Sequence, residues 1–179
     1  AVQRIVIYAN GGDDRVVVAS NIKKTVIIDG GTGEDLLNGG GGRNVLLGGR
    51  GEDHLIGGSG NDILIGGKGE DKLEAQSGQD VLIGGSSIYD SNLMYWRALD
   101  SLLARWNTAP NYLAGVTELR TPASSSAARL AAWETVFADD DEDDLNGGSE
   151  LDWYFADIEH CEADRIRGLA RNEVVDEVR

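Results

Sequence analysis

A chain of 179 residues with a single cysteine, Cys161, can form no intrachain disulfide, and it is long enough to bury a core without one. Its 16 basic residues stand against 31 acidic ones, a net charge of −15 that disfavours nucleic acid and anionic membrane surfaces and makes a compact state repel itself. A cationic partner is therefore expected, and no apolar run approaches the roughly 20 residues of a membrane span, so no membrane insertion is expected either.

The chain opens on a strand. In AVQRIVIYA, Val2, Ile5 and Ile7 lie among polar neighbours, and the stretch lacks the charged, apolar and cleavage regions of a signal peptide. It is expected to be the C-terminal piece of a longer secreted protein, the rest of that parent chain lying N-terminal to it.

From Gly30 to Ile83 a nine-residue period runs without insertion: GGTGEDLLN, GGGGRNVLL, GGRGEDHLI, GGSGNDILI, GGKGEDKLE and AQSGQDVLI, followed by a further start at GGSSIYD. The eighth slot is Leu37, Leu46, Leu55, Leu64, Leu73 and Leu82, and the sixth is Asp35, Asn44, Asp53, Asp62, Asp71 and Asp80. A flexible glycine linker does not place leucine at every ninth residue six times running. The pattern resembles the RTX (repeat-in-toxin, hemolysin-type) calcium-binding family, whose nonapeptide is G-G-x-G-x-D-x-U-x with U apolar and whose fold is a parallel β-roll. The match covers about a third of the chain.

Physics accounts for the period independently. The residues around each leucine make a strand too short to stand alone, and G-G-x-G-x-D turns the chain back on itself. Two nonapeptides close one coil of 18 residues, so stacked coils align the leucines in one internal ladder and bring like turns together on each edge. Glycine aims carbonyls inward, and carbonyls plus a carboxylate from neighbouring turns make an all-oxygen cage that suits the hard cation calcium. Sixth-slot partners lie 18 residues apart, Asp35, Asp53 and Asp71 on one edge and Asn44, Asp62 and Asp80 on the other. The remaining candidate ligands are the turn residues Gly30, Thr32, Glu34, Gly39, Gly41, Gly48, Arg50, Glu52, Gly57, Ser59, Asn61, Gly66 and Lys68. Asn44 keeps an oxygen but loses a charge, which predicts a weaker site. AQSGQDVLI has Ala75 and Gln76 where two glycines are due, which leaves the turn between Asp62 and Asp80 open.

Upstream, ANGGDDRVV fits the same frame with Gly12, Asp14 and Val16 in slots four, six and eight. Asp14 precedes Asp35 by 21 residues, one coil plus three, with NIKKTVIID as the intervening strand, so Asp14 is a candidate ligand on the edge of Asp35. Slots seven and nine point away from the interior. On one sheet they hold Val45, Leu47, Ile63, Ile65, Val81 and Ile83; on the other they hold Leu36, Asn38, His54, Ile56, Lys72 and Glu74. The first face is wholly apolar and predicts a cover.

After Tyr89 the spacing becomes helical. Leu93, Trp96, Leu99, Leu103 and Trp106 predict an amphipathic helix over 90–107 with Asp90 or Ser91 as N-cap, and Pro110 to Leu119 predicts a second helix with the proline in its first turn. TPASSSAA reads as loop and Leu130 to Trp133 as a short turn. The repeat frame then resumes: ADDDEDDLN places Asp143 in slot six and Leu145 in slot eight, and GGSELDWYF places Asp152 in slot six and Tyr154 in slot eight. Asp143 and Asp152 are thus candidate ligands, and Trp153, Tyr154 and Phe155 are expected to cap the open end. Asp139, Asp141, Asp143 and Glu150 also match slots of an EF-hand loop, but Asp144 occupies the slot that requires glycine; a roll-edge site and a solvated acidic loop are the other readings.

LIGGSSIYD, TVFADDDEDD, DWYFA and DRI together resemble the C-terminal modules of RTX-bearing surface proteins of Planctomycetota. The resemblance implies secretion and a terminal position in a large protein. The expected fold is mainly β: a parallel β-roll over 1–89, an inserted helical cap over 90–134 packed on one sheet face, and closing coils over 135–179.

Chemistry beyond calcium is sparse. His54 and His160 have no partner at zinc spacing, and no nucleophile elbow, phosphate loop or dinucleotide fingerprint occurs. Trp96, Trp106, Trp133 and Trp153 read as core at helical spacing more readily than as a sugar platform. The expectation is a non-enzymatic, calcium-binding structural module of a secreted or cell-surface protein. The alternatives are a calcium-dependent adhesion module binding glycan or a surface protein, and an accessory domain of a secreted hydrolase.

Overall fold

The computed structural model describes residues 3–90, 95–121, 128–132, 134–139, 141–158 and 163–178. Among them the chain forms β1 (Arg4–Gly11), β2 (Arg15–Val17), β3 (Thr25–Thr32), β4 (Leu36–Asn38), β5 (Asn44–Arg50), β6 (His54–Ser59), β7 (Ile63–Lys68) and β8 (Lys72–Ser77). Next come β9 (Val81–Ile83), β10 (Ser86–Ser87), α1 (Trp96–Thr108), α2 (Tyr112–Arg120), β11 (Val136–Phe137), β12 (Asp144–Asn146), β13 (Trp153–Ala156), β14 (Arg165–Arg167) and β15 (Val174–Glu177).

The strands alternate between two parallel sheets. One runs β1-β3-β5-β7-β9-β13-β15 and the other β14-β12-β8-β6-β4-β2, while β10 and β11 pair antiparallel beside them. Consecutive strands fall in opposite sheets because each nonapeptide turn reverses the chain, so like strands meet one coil apart, as in Leu46↔Leu64, Leu64↔Leu82, Leu37↔Leu55 and Leu55↔Leu73. This is a parallel β-roll.

The ladder of eighth-slot leucines is the interior, closed by Val26 and Ile28 at one end and by Leu145, Tyr154 and Ala156 toward the other. Slots seven and nine of the first sheet build a second core outside it. There Val45, Leu47, Ile63, Ile65, Val81 and Ile83 are buried against Leu99, Leu102, Leu103 and Trp106 of α1 and Tyr112, Val116 and Leu119 of α2. The inserted helices therefore cover the apolar face. The opposite face stays solvated and carries the pairs Lys72–Glu74 at 2.5 Å and His54–Glu74 at 3.4 Å. No described helix is long and apolar enough to cross a membrane.

Several local expectations change. Helix α1 begins at Trp96 rather than near Asp90, and its N-cap is Tyr95; Asp90 instead accepts from Ser87 N at 2.6 Å and closes a turn. Ser91 and Leu93 lie outside the described residues. Helix α2 starts one residue after Asn111, whose side chain accepts from Ala114 N at 3.0 Å, so Pro110 precedes the cap instead of entering the first turn. Leu130 lies in no regular element, Ala132 bridges Val136, and the turn falls later, at Glu134 and Thr135, with Trp133 outside the described residues. Trp153 and Phe155 do not cap the open end, because slots seven and nine point outward: they join the helical core, and a further coil, β14 and β15, stacks beyond them. Trp106 and Trp153 are core as well, their rings 6.1 Å apart, and Trp96 lies beneath the guanidiniums of Arg4 and Arg97.

Leu64 is fully buried with a leucine above and below it. Leu64→Ala is expected to lower the unfolding free energy by about 2–5 kcal/mol, read from urea unfolding at one fixed calcium concentration.

Candidate metal centre

Each edge of the roll is a stack of turns in which one sixth-slot peptide binds the carboxylate of the next coil. On the first edge Asp35 N donates to Asp53 Oδ1 at 2.8 Å, Asp53 N to Asp71 Oδ1 at 2.8 Å and Asp71 N to Asp143 Oδ1 at 2.7 Å. On the second, Asn44 N donates to Asp62 Oδ1 at 2.6 Å, Asp62 N to Asp80 Oδ1 at 2.7 Å and Asp80 N to Asp152 Oδ1 at 2.8 Å. Asp14 N reaches Asp35 Oδ1 at 2.7 Å and so extends the first edge upstream. The spacing is 18 residues within the array and 72 across the insertion, so the inserted helices do not disturb the register.

Only one oxygen of each carboxylate is used. Oδ2 of Asp14, Asp35, Asp53, Asp62, Asp71, Asp80, Asp143 and Asp152 is buried without a hydrogen-bond partner. Within the array it tucks under the first-slot glycine of its own turn and faces the first-slot carbonyl of the next coil. A β-carbon added at Gly57 would lie 2.6 Å from Asp62 Oδ2 and 3.0 Å from the Ala75 carbonyl, and one at Gly30 would lie 2.7 Å from the Gly48 carbonyl; Gly48 and Gly66 are crowded in the same way. The turns need positive φ at the second and fourth slots, 117° at Gly49 and 119° at Gly51. Gln76 takes this role at φ 77°, so the copy lacking two glycines keeps its turn.

The other predicted turn residues are placed with equal regularity. Third-slot carbonyls accept from the fourth-slot glycine one coil earlier: Gly12 N to Thr32 O, Gly33 N to Arg50 O and Gly51 N to Lys68 O, all at 2.8 Å. Glu34 N donates to Asp13 Oδ1 at 3.0 Å, and the Asn61 carbonyl accepts from Asn107 Nδ2 at 3.4 Å. Glu52 and Ser59 occupy equivalent turn positions, and Gly41 lies against the Ser20 carbonyl.

Asn44 differs from its siblings. Its Nδ2 donates at 3.1 Å to the carbonyls of Gly42 and of Gly57, the latter being the first-slot carbonyl of the next coil. An amide donor thus stands where the other rungs present Oδ2. The EF-hand alternative does not hold: among the described residues strands rather than helices flank the segment, β12 within it pairs in parallel with β8 and β14, and Asp139 Oδ2 accepts from Gly69 N at 2.8 Å. Two acidic side chains were not anticipated. Asp143 N donates to Asp164 Oδ1 at 3.0 Å and Asp152 N to Glu173 Oε1 at 3.3 Å, so both edges continue into the tail. The signal was present as an acid followed two residues on by an apolar residue, Asp164 with Ile166 and Glu173 with Val175, nine residues apart. His160 and Cys161 lie outside the described residues.

Burial dominates the electrostatics. It pushes the Asp53 and Asp152 carboxyls up to about 7, Asp71 to about 8 and Asp80 and Asp143 to about 9, with Asp62 well above its ordinary value; backbone N–H donors pull each back only in part. No three acidic, histidine or cysteine side chains converge on one point among the described residues, so a cage here combines carboxylate with peptide carbonyl. Buried carboxylate oxygens lacking partners, facing carbonyls in a space too tight for a methyl group, fit a hard divalent cation.

Fold and edges together define a parallel β-roll that binds metal along its turns. Residues 27–55 and 56–87 match the family model of the RTX calcium-binding nonapeptide repeat. Over those residues the chain is an RTX array, and it binds several Ca2+ ions. No curated protein and no solved structure matched the chain.

Two expectations follow from the edges. The unfolded chain releases these protons near 3.8, whereas the calcium-free fold holds them to about 7 to 9, so its stability is intact below about pH 4 and is lost as pH rises through the folded values. Calcium-stripped protein should show more strand by circular dichroism near pH 4.5 than near pH 8; the opposite order would contradict burial of unpaired carboxyls. Asn44→Asp should add one bound calcium, counted by equilibrium dialysis, because it replaces the amide donor by a carboxylate oxygen; an unchanged count would mean that the amide does not block that rung.

Proposed function

We propose that this chain is a non-catalytic structural module of a secreted or cell-surface protein, which folds when it meets extracellular calcium. The observation that carries the reading is the stack of buried Asp Oδ2 atoms without partners, repeated on both edges. With a net charge of −15 the emptied edges repel one another, and burial of an unpaired charge costs several kcal/mol. Bound calcium neutralises the carboxylates and ties successive turns together.

On this reading the ligands on the first edge are Asp35, Asp53 and Asp71 with the carbonyls of Gly48, Gly66 and Gly84, and on the second Asp62 and Asp80. Asn44 contributes its own hydrogen bonds in place of an ion. Sites of about 10⁻⁴ to 10⁻³ M, the range of extracellular calcium modules, stay empty in the cytosol and fill outside the cell. The chain would thus remain loose until export and then set as a rigid terminal element of its parent. The sequence resemblance to terminal modules of surface proteins points the same way, as does the division into a roll, a helical cap and closing coils.

At neutral pH, calcium at millimolar concentration should produce a large gain in strand signal over chelator-treated protein, together with a change in tryptophan emission as Trp106 and Trp153 become buried. Identical spectra and melting curves with and without calcium would sink the proposal.

A further inference from the structure

The first-edge ladder continues past the nonapeptides, and its chemistry changes there. Gly84 is the first-slot glycine of a coil that the insertion interrupts, and the sixth slot of that coil is Asp143. A β-carbon added at Gly66 would press on Asp71 Oδ2 and on the Gly84 carbonyl; one added at Gly84 would press on Asp143 Oδ2 but lie 3.1 Å from Asp164 Oδ2. A carboxylate has taken the place of the peptide carbonyl. The same exchange occurs beside it: Gly33 N and Gly51 N donate to carbonyls, whereas Gly69 N donates to Asp139 Oδ2 at 2.8 Å.

Asp143 is 1% exposed, and its Oδ2 is buried without a hydrogen-bond partner. Asp164 is held in place by two peptide donors, Asp143 N on Oδ1 at 3.0 Å and Asp157 N on Oδ2 at 2.8 Å. The guanidiniums on this coil are engaged elsewhere, Arg165 with Glu142 and Arg167 with Asp144, each at 2.6 Å. The second edge ends differently. A β-carbon at Gly147 would meet the Tyr154 hydroxyl beside Asp152 Oδ2, so a phenol stands beside Asp152 where a second carboxylate, Asp164, stands beside Asp143.

We propose that Asp143 and Asp164 hold a calcium ion outside the repeat array, in a site with more negative charge than the array's cages, and that this ion fastens the last coils to the roll. The inference rests on the reading of the array's edges as calcium cages. Affinity for calcium rises with the number of charged ligands and with their rigidity, so this site fills before the array does. It ties the segment returning from the helices, which bears Asp143, to the C-terminal coil, which bears Asp164.

Calorimetric titration of calcium-stripped full chain is expected to resolve one tight site ahead of the array. Asp164→Asn should weaken that tight site at least tenfold and leave the array's sites in place; Asp53→Asn should remove an array site and leave the tight one. An Asp164→Asn isotherm that superimposes on the wild type would overturn the proposal. Because the Asp164→Asn change could loosen the last coil by itself, wild-type crystals soaked in substoichiometric terbium supply a second measure. Their first anomalous peak should lie between Asp143 and Asp164, and peaks confined to the array's turns would overturn the site. Failure of the array itself to take calcium would instead overturn the reading of the whole edge.

Discussion

One contact sets the geometry of the roll: the peptide N–H of a sixth-slot residue bound to the carboxylate of the sixth-slot residue one coil on. It recurs from Asp14 through Asp35, Asp53 and Asp71 to Asp143, and from Asn44 through Asp62 and Asp80 to Asp152. By using Oδ1 it fixes the rotation of every carboxylate and so directs Oδ2 toward the turn interior. The same bond that stacks the coils thereby creates a column of acidic oxygens that the protein alone leaves without partners. Backbone donation lowers each pKa, but desolvation outweighs it, and the balance returns only with a proton or a cation.

The helical cover is tied to the second edge as well as to the apolar face. Trp106 Nε1 donates to the Gln79 carbonyl at 2.5 Å, Asn107 Nδ2 to the Asn61 carbonyl at 3.4 Å, and Tyr112 OH to the Asp152 carbonyl at 2.6 Å. Those acceptors are fifth- and sixth-slot residues of three successive turns. Tyr112 OH also accepts from Val174 N at 2.7 Å, which joins α2 to the last strand. Ordering of the turns and docking of the helices are therefore linked through shared residues: loosening of one edge removes the acceptors that orient Trp106 and Tyr112.

The repeat frame made much of this legible. A nine-residue period with leucine in one slot and acid in another dictates two sheets, an interior ladder and two acidic edges, and the apolar seventh and ninth slots call for a cover. What the frame could not convey was local. Asn44 has the right size for a ligand, but only the position of the Gly57 carbonyl shows that its amide nitrogen is the group facing inward. Gln76 at positive φ and the start of α1 at Trp96 depend on neighbouring coils and on packing, not on propensity. Trp153 and Phe155 look like an end cap until the coil after them is placed; that coil, with Asp164 and Glu173, has shed every glycine but Gly168 and otherwise keeps only the acid and the apolar residue two positions on.

The position of the insertion follows from the same bonding rules. A roll strand is hydrogen-bonded on both sides along its length, so chain inserted within β9 would break two ladders, those with β7 and with β13. The turn after Gly84 is held by fewer, separable contacts: the Gly84 carbonyl, the third-slot carbonyl and the sixth-slot carboxylate. Each survives the interruption in a different way. Gly84 stays in line with Gly66, Asp139 supplies an oxygen to Gly69 where Lys68 and Arg50 supply carbonyls to their neighbours, and Asp143 returns in register to accept from Asp71. Helices can therefore be carried out of the turn at no loss to the sheets, and the acidic run that brings the chain back replaces, oxygen for oxygen, what the missing part of the turn would have provided.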